Sequence, residues 1–253
     1  MNRRGAGLTD VGRRRVVNED AFLHDDALGL YIVADGMGGH AAGEIASQEA
    51  VETIHGMVGR EREALRAMEE APPGHAETLR PALRVLESAI QAATYMVFGL
   101  AQHEPERQGM GTTVSALLIR GVHGITAQVG DSRIYLVRGG TASILTEDHT
   151  LVAWQVKQGL ISADEAVRSP HRNVITRAVG SREYVQVDTQ VLECHPGDGF
   201  LLCSDGLHGY LEPEEIPPVC DLGAPLATKR FIEMANERGG RDNITAVVVE
   251  VTD

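Results

Sequence analysis

Residues 30–36 read Leu-Tyr-Ile-Val-Ala-Asp-Gly, five apolar residues followed by an acidic residue and a glycine. An apolar run bounded in this way predicts a buried β-strand that ends at the acidic residue, Asp35. Residues 201–206, Leu-Leu-Cys-Ser-Asp-Gly, repeat the pattern and place Asp205 at a second strand end. Asp242 stands shortly before a third apolar run, Ala246–Val251. Acidic residues next to predicted buried strands are therefore the recurring feature of this sequence.

Other Val- and Ile-rich runs predict further strands, and apolar residues at helical spacing predict four helices. The strand predictions are Leu30–Ala34, Val114–Arg120, Ile125–Val129, Ile134–Arg138, Val185–Leu192, Phe200–Cys203 and Ala246–Val251. The helix predictions are Gly43–Val58, Leu79–His103, Thr150–Gln158 and Pro225–Arg238, and the Pro-rich stretch Glu212–Pro218 is expected to be a surface loop. Because strands and helices do not alternate regularly, we expect an α+β layered fold with antiparallel sheets.

Length and charge limit the functional classes. The 253 residues are expected to form one domain, 1–253, without internal repeats. The formal net charge of −13 argues against a nucleic-acid partner and against binding to an anionic membrane surface. The chain contains no run of about 18 apolar residues, and its first ten residues do not resemble a signal peptide. With three cysteines and no Cys-x-x-Cys pair, we expect reduced thiols and a cytoplasmic location.

Six acidic residues form the most informative set in the chain: Glu19, Asp20, Asp35, Asp131, Asp205 and Asp242. A carboxylate at the mouth of an apolar strand is partly desolvated, and it stays ionised only when it is paired. The chain has only two lysines, and all-oxygen sites suit hard divalent cations such as Mg²⁺ or Mn²⁺. Each Asp-Gly pair alone could be ordinary turn chemistry, and Asp198 is interpreted in that way. The full set indicates a hydrolytic site with two or three ions.

These residues lie in eight stretches that resemble, in order, the metal-dependent Ser/Thr protein phosphatases of the PP2C (PPM) family, most closely their bacterial branch. The stretches are Thr9–Asp20, Val33–His40, Gly109–Thr113, Gly130–Arg133, Asp148–Thr150, Asn173–Gly180, Leu202–Leu207 and Gly240–Thr245. The resemblance implies a four-layer α-β-β-α sandwich, in which two antiparallel sheets are flanked by antiparallel helix pairs. It places the metal centre at one end, between the sheets.

The resemblance also implies a role for each site residue. Asp35 is similar to the carboxylate that bridges two Mn²⁺ or Mg²⁺ ions, and the Gly36 carbonyl is expected to bind one of them. The other direct ligands would be Asp205 and Asp242, whereas Glu19 and Asp20 would hold metal-bound waters. Asp131 matches a residue that recruits a third, weaker ion. Arg15 matches the arginine that binds the substrate phosphate, although Arg13 and Arg14 compete for that role in the sequence.

By resemblance, the activity is hydrolysis of phosphoserine and phosphothreonine monoesters through in-line attack by a water that bridges the two ions. The expected partners are phosphorylated proteins and a cognate Ser/Thr kinase of the eukaryotic type, and the expected state is a monomer. Met37 stands where some eukaryotic members have a histidine proposed as general acid, so the general acid is unknown. His40 is a weak candidate, and a helix-start position explains it equally well.

Asp148–Gly180 matches the family's mobile flap beside the active site, and we call it the flap segment. It contains Trp154, the only tryptophan, and Ser169-Pro170 where bacterial relatives often carry His-Pro. That departure leaves open whether the flap segment selects substrates.

Two alternatives from other functional classes stay open at this point. Gly130-Asp131-Ser132 with the later Asp205-x-x-His208 could form a serine hydrolase of the GDS type. The second alternative is a catalytically dead relative that only binds phosphoproteins. It is disfavoured because Asp35, Asp205 and Asp242 are all present.

Overall fold

The computed structural model describes residues 1–38 and 42–253. Its strands, numbered in chain order, are β1 (Asn2–Asp10), β2 (Asp20–Asp25), β3 (Leu30–Met37), β4 (Gly111–Thr112), β5 (Val114–Arg120), β6 (His123–Val129), β7 (Arg133–Arg138), β8 (Thr141–Ile144), β9 (Asp188–Glu193), β10 (Gly199–Cys203) and β11 (Ile244–Thr252). Its helices are α1 (Ala42–Val58), α2 (Arg62–Glu70), α3 (Arg80–His103), α4 (Leu151–Lys157), α5 (Ala163–Arg168), α6 (Asp205–His208), α7 (Ile216–Cys220) and α8 (Ala224–Glu237).

The strands form two antiparallel sheets. The first sheet has the order β1-β11-β10-β7-β8, and the second has the order β2-β3-β5-β6-β9, with β4 paired to the end of β3. Every pairing within both sheets is antiparallel. The sequence prediction of an α+β fold with antiparallel sheets is therefore confirmed.

Alternation along β3 shows how the layers are arranged. Tyr31 and Val33 pack in a core between the two sheets, whereas Leu30 and Ile32 point to the opposite face and pack with α1 and α3. Successive side chains of a strand point to opposite faces, so a strand buried on both faces must be apolar throughout. The inter-sheet core also contains residues from β5, β7, β10 and β11: Leu117, Ile119, Ile134, Leu136, Phe200, Leu202, Val247, Val249 and Val251.

Helices cover the outer face of each sheet. Residues of α1 and α3 pack against the second sheet, and residues of α7 and α8 pack against the first. The predicted four layers are therefore present, but the two outer layers are unequal, because α7 has 5 residues whereas α1 has 17 and α3 has 24. In the part of the chain that the structure describes, no helix is both long enough and apolar enough to cross a membrane.

Several elements differ from the sequence predictions. β1 and β2 were not predicted as strands, because their sequences lack a regular apolar alternation. The prediction of a surface loop over Glu212–Pro218 is wrong from Ile216 onward, where α7 begins with Ile216 and Pro217 buried. Proline is tolerated there because the first turn of a helix needs no donor from that residue. The remaining predicted strands and helices are present with shifted ends.

Candidate metal centre

The predicted site residues converge on one cleft of about 270 Å³. Both sheets contribute to it, through the ends of β3 and β6 from one and the segments after β10 and before β11 from the other. The loop between β1 and β2 completes the cleft. Seven predicted residues line it: Arg15, Glu19, Asp35, Gly36, Asp131, Asp205 and Asp242.

Asp20 lies buried at the start of β2, directly opposite Asp35 in the strand register. Its Oδ2 atom accepts hydrogen bonds from the hydroxyls of Ser204 at 2.8 Å and Thr245 at 2.6 Å. Its Oδ1 atom is buried and has no hydrogen-bond partner among the described residues. Burial, opposed in part by the two hydroxyl donors, raises the pKa of Asp20 to about 7. An unpaired carboxylate oxygen in this position is costly unless a cation or an ordered water meets it.

Asp35 is held in place by Thr112 at the end of β4 and by Thr113, which lies between β4 and β5. Its backbone nitrogen donates to the Thr113 hydroxyl at 2.9 Å, and its carbonyl accepts from the Thr113 nitrogen at 2.9 Å and from the Thr112 hydroxyl at 3.0 Å. Burial raises the pKa of the Asp35 carboxyl well above its usual range, and the neighbouring carboxylates, Asp20 first, raise it further. The backbone is thus fixed while the carboxylate faces like charges.

Three further carboxyl groups of the cleft also have raised pKa values. Burial raises the pKa of Asp131 to about 7, with the Asp205 charge adding to the effect. Burial also raises the pKa of Asp205, and its neighbour Asp242 raises it further. Glu19 follows, with burial as the main cause of its raised pKa. Carboxylates crowded in this way either hold protons or bind cations.

Divalent cations fit this donor set. The buried carboxylates with raised pKa values supply negative charge, and the Oδ1 atom of Asp20 is an oxygen ligand without a partner among the described residues. Mg²⁺ and Mn²⁺ prefer oxygen ligands. Within the described residues, no group of three or more His, Cys, Asp or Glu side chains is already arranged to hold an ion.

Arg15 is the member of the arginine triplet that lines the cleft. Its Nη2 atom donates to Asp242 Oδ2 at 2.8 Å, and about half of its side chain is exposed. Arg13 is committed elsewhere, because its Nε donates to the Asn236 carbonyl at 2.8 Å. The guanidinium of Arg15 thus lies at the rim of the carboxylate cluster, paired with Asp242 and partly exposed to solvent. The weak general-acid candidate, His40, lies outside the described residues.

Some supporting residues were not singled out from the sequence. Asn243 accepts the Glu19 backbone N–H at 2.8 Å and donates to the carbonyls of Val11 and Val17, which ties the β1–β2 loop to the cleft. His149 accepts the Gly130 N–H on Nδ1 at 3.1 Å, and its Nε2 lies 3.0 Å from Asp188 Oδ2 and 3.1 Å from Arg177 Nη1. Both residues lie within motifs quoted above, but only the structure shows what they contact.

The flap segment borders the cleft through Asn173 and Ile175. It contains α4 and α5, and Thr150 caps α4 by accepting from the Ala153 nitrogen. An isolated bridge between Thr150 and Ile175 closes the segment on itself, and about half of Trp154 is exposed.

The geometry contradicts the serine-hydrolase alternative. Ser132 is fully buried, and its hydroxyl is hydrogen-bonded to the Thr113 hydroxyl at 2.8 Å. The His208 ring nitrogen donates to the Asp131 carbonyl at 3.0 Å instead of facing Ser132. A nucleophilic serine must be accessible and in contact with its base, and neither condition holds. Asp198, interpreted as turn chemistry, does stand in a turn, where it accepts the His195 N–H and pairs with Arg138.

Several known proteins are similar to this chain in sequence and in fold. The family model for Protein phosphatase 2C matches residues 12–246. A serine/threonine phosphatase, stp, of Listeria welshimeri is 39% identical over 96% of this chain and 93% of the relative. The crystal structure of the Mycobacterium tuberculosis serine/threonine phosphatase PstP/Ppp superposes with a TM-score of 0.84 at 34% identity, covering 100% of both chains. The PstP catalytic domain in complex with 2 manganese ions gives a TM-score of 0.83 at 34% identity, covering 100% of this chain and 99% of the other.

Proposed function

The chain belongs to the protein phosphatase 2C family, and we propose that it hydrolyses phosphoserine and phosphothreonine monoesters of proteins in a reaction that requires divalent metal ions. The observation that carries the proposal is the cleft itself. It is lined by five carboxylates and by the Arg15 guanidinium. A sixth carboxylate, Asp20, has a buried Oδ1 without a hydrogen-bond partner in the described part of the chain. Several carboxylates this close together destabilise the native state unless bound cations offset their charge.

In this proposal Asp35 and the carbonyl of Gly36, together with Asp205 and Asp242, hold two ions, Mn²⁺ or Mg²⁺. Glu19 and Asp20 orient the waters around them, and Asp131 with Asp205 recruits a third, weaker ion. When bound, such ions lower the pKa of water and offset the charge that develops on the phosphoryl oxygens. The PstP catalytic domain in complex with 2 manganese ions supports, by analogy, the two ions of this proposal.

The chain's own residues bind and orient the phosphate. Arg15 presents a planar fork of N–H donors that matches two phosphate oxygens. Its ion pair with Asp242 at 2.8 Å fixes the direction from which that fork approaches. Among the described residues that line the cleft there is no serine, cysteine or histidine. We propose water as the nucleophile, and we assign no general acid.

We propose further that the substrates are proteins phosphorylated by a Ser/Thr kinase of the eukaryotic type. The names of the relatives support the Ser/Thr part of this statement. We retain the interpretation of residues 1–253 as one phosphatase domain with the flap segment beside its active site.

The decisive test is hydrolysis of p-nitrophenyl phosphate and of a phosphothreonine peptide in EDTA, in Mg²⁺ and in Mn²⁺. We expect turnover of both substrates with metal and none in excess EDTA. Turnover in EDTA would contradict metal dependence. Absence of turnover with either metal, together with binding of the phosphopeptide, would indicate a catalytically dead relative.

Replacing Asp35 with Asn provides the matched variant. Because the proposal makes Asp35 the carboxylate shared by two ions, we expect kcat to fall by about 100-fold or more. Circular dichroism and the melting temperature in EDTA should show a folded protein of at least wild-type stability, since one like charge has been removed. A variant with near-wild-type turnover would overturn the role assigned to Asp35.

A further inference from the structure

A second, larger cavity of about 580 Å³ adjoins the carboxylate cleft. The two share Asp131, Asp205, Asp242 and Asn173, so a ligand in one is contiguous with a ligand in the other. The volume falls within the range of roughly 300–1,000 Å³ that is typical of ligand pockets.

One side of the cavity is formed by the flap segment and the other by α6 with the turn before β11. The flap segment contributes the apolar residues Val152, Ala153, Ala166 and Val167, together with Arg172. The opposite side contributes Tyr210 and Arg241. The Tyr210 hydroxyl accepts the backbone N–H of Arg241 at 3.2 Å, which fixes the chain at that position.

The charges around the cavity divide into those that are committed and those that are free. Asp148 receives two hydrogen bonds from Arg133, at 2.9 and 2.7 Å, so these two charges offset each other. His208 is committed to the Asp131 carbonyl. Asp131, Asp205 and Asp242 belong to the proposed metal centre.

Arg172 and Arg241 are the other two charged residues that line the cavity. Both are exposed, and neither makes an ion pair with any carboxylate in the part of the chain that the structure describes. In a chain with a net charge of −13, these two guanidinium groups place positive charge in the cavity that adjoins the carboxylate cleft.

We propose that this cavity is a subsite for a second anionic side chain of the substrate, either a carboxylate or a second phosphate, next to the phosphoresidue that is hydrolysed. The proposal rests on the proposed function, because the cleft carboxylates must be neutralised by metal ions before an anion is attracted to their neighbourhood. Arg172 and Arg241 would bind the anionic group, and the apolar side chains of the flap segment would contact its aliphatic part.

The test compares phosphothreonine peptides that differ only in one flanking side chain: alanine, glutamate or a non-hydrolysable phosphonate analogue of phosphothreonine. The flanking residue is placed up to three positions before or after the target, because the cavity does not fix the direction of the peptide. We expect kcat/KM to rise about 10-fold for an anionic group on one side of the target, mainly through KM. Comparison of the glutamate and phosphonate peptides separates the two sources of negative charge. Equal values for all peptides would overturn the subsite.

Arg172→Gln should remove the preference for the anionic peptides and leave hydrolysis of p-nitrophenyl phosphate unchanged, because that substrate has no flanking group. Arg168→Gln is the matched control. It removes the same charge from the same flap segment, but Arg168 does not line the cavity, so the preference should remain. Arg241→Gln, measured as the ratio between anionic and neutral peptides, should lower the preference as well.

A preference that survives in both Arg172→Gln and Arg241→Gln would overturn the assignment of these arginines. Equal loss in Arg168→Gln would overturn it too, since it would indicate a general effect of surface charge. Failure of the proposed function itself gives a different result, namely no metal-dependent turnover of p-nitrophenyl phosphate or of the neutral peptide.

Discussion

Arg15 has the side chain whose position most directly links the carboxylate cluster to a phosphate ligand. It lines the cleft and donates to Asp242 at 2.8 Å, whereas Arg13 donates to the Asn236 carbonyl and is tied to the Gly240 carbonyl through its backbone. The resemblance assigns this role to Arg15, but the sequence leaves Arg13 and Arg14 in competition. The hydrogen bonds now favour it on geometric grounds.

We expect Arg15→Ala to lower kcat/KM for a phosphopeptide by about 10- to 100-fold, because a charge-assisted hydrogen bond contributes about 1.5–3 kcal/mol. Arg15→Lys should recover only part of the loss, since an ammonium group cannot bind two oxygens in the plane of a fork. Steady-state kinetics at saturating Mn²⁺ measures both variants. Arg14→Ala is the control, and a loss there equal to that of Arg15→Ala would reassign the phosphate-binding arginine.

At the scale of elements, the site depends on how closely α6 approaches β11. Gly206, in α6, lies against the Asn243 backbone, where an added Cβ would overlap with the carbonyl oxygen and come within 3.2 Å of the Asp242 Cβ. A side chain at position 206 would therefore push α6 away from β11. That movement would separate Asp205, at the start of α6, from Asp242.

We expect Gly206→Ala to lower the free energy of unfolding by about 1–3 kcal/mol and to raise the Mn²⁺ concentration needed for half-maximal activity. Gly56→Ala is the matched control, because Gly56 also lies in a helix but a Cβ there meets nothing within 4 Å. Helix propensity alone predicts that alanine stabilises by up to about 1 kcal/mol. Urea unfolding and metal titration of the two variants should thus give opposite signs, and stabilisation by both would contradict the close-approach argument.

The same scale shows what could be predicted from sequence. The strands β5 and β10 are buried on both faces and consist mostly of apolar residues, and their positions were predicted to within a residue or so. β1 was missed because its sequence, rich in arginine and glycine, becomes a strand only by pairing with β11. Gly5 and Gly7 in β1 have a tertiary reason too, since an added Cβ would overlap with the rings of Tyr31 and Phe22.

Of the candidate site, the carboxylates could be predicted from the sequence, whereas the residues that hold them in place could not. The carboxylates were found because acidic residues at apolar strand ends are costly and therefore conspicuous. Their supports were not, because the hydroxyls of Ser204 and Thr245 on Asp20, or His149 on Gly130, depend on contacts between residues distant in the chain. Neutral hydroxyls and amides carry no comparable pattern in sequence.

For the whole molecule, the cleft carboxylates make stability depend on metal and on pH. An acid whose pKa is raised on folding keeps its proton in the native state and loses it in the unfolded state between the two pKa values. Stability therefore falls as the pH rises through that window. For Asp131 the window runs from the ordinary value of 3.8 to about 7. Burial lowers the pKa of His149 and His208, which has the opposite effect below about pH 6.5, so wild-type stability alone does not isolate the carboxylates.

Asp131→Asn isolates this contribution, because both histidines are present in the variant and in the wild type. In EDTA we expect the variant to become more stable relative to wild type as the pH rises from about 4 to about 7, reaching about 2–4 kcal/mol, and to change little above that range. In saturating Mn²⁺ the sign should reverse, since binding of cations to the native carboxylates then stabilises the wild type more. Chemical denaturation at pH 5 and pH 8, with EDTA and with Mn²⁺, gives the four differences required. A pH-independent difference in EDTA would mean that Asp131 is not held at a raised pKa, and equal differences with and without Mn²⁺ would mean that it takes no part in binding metal.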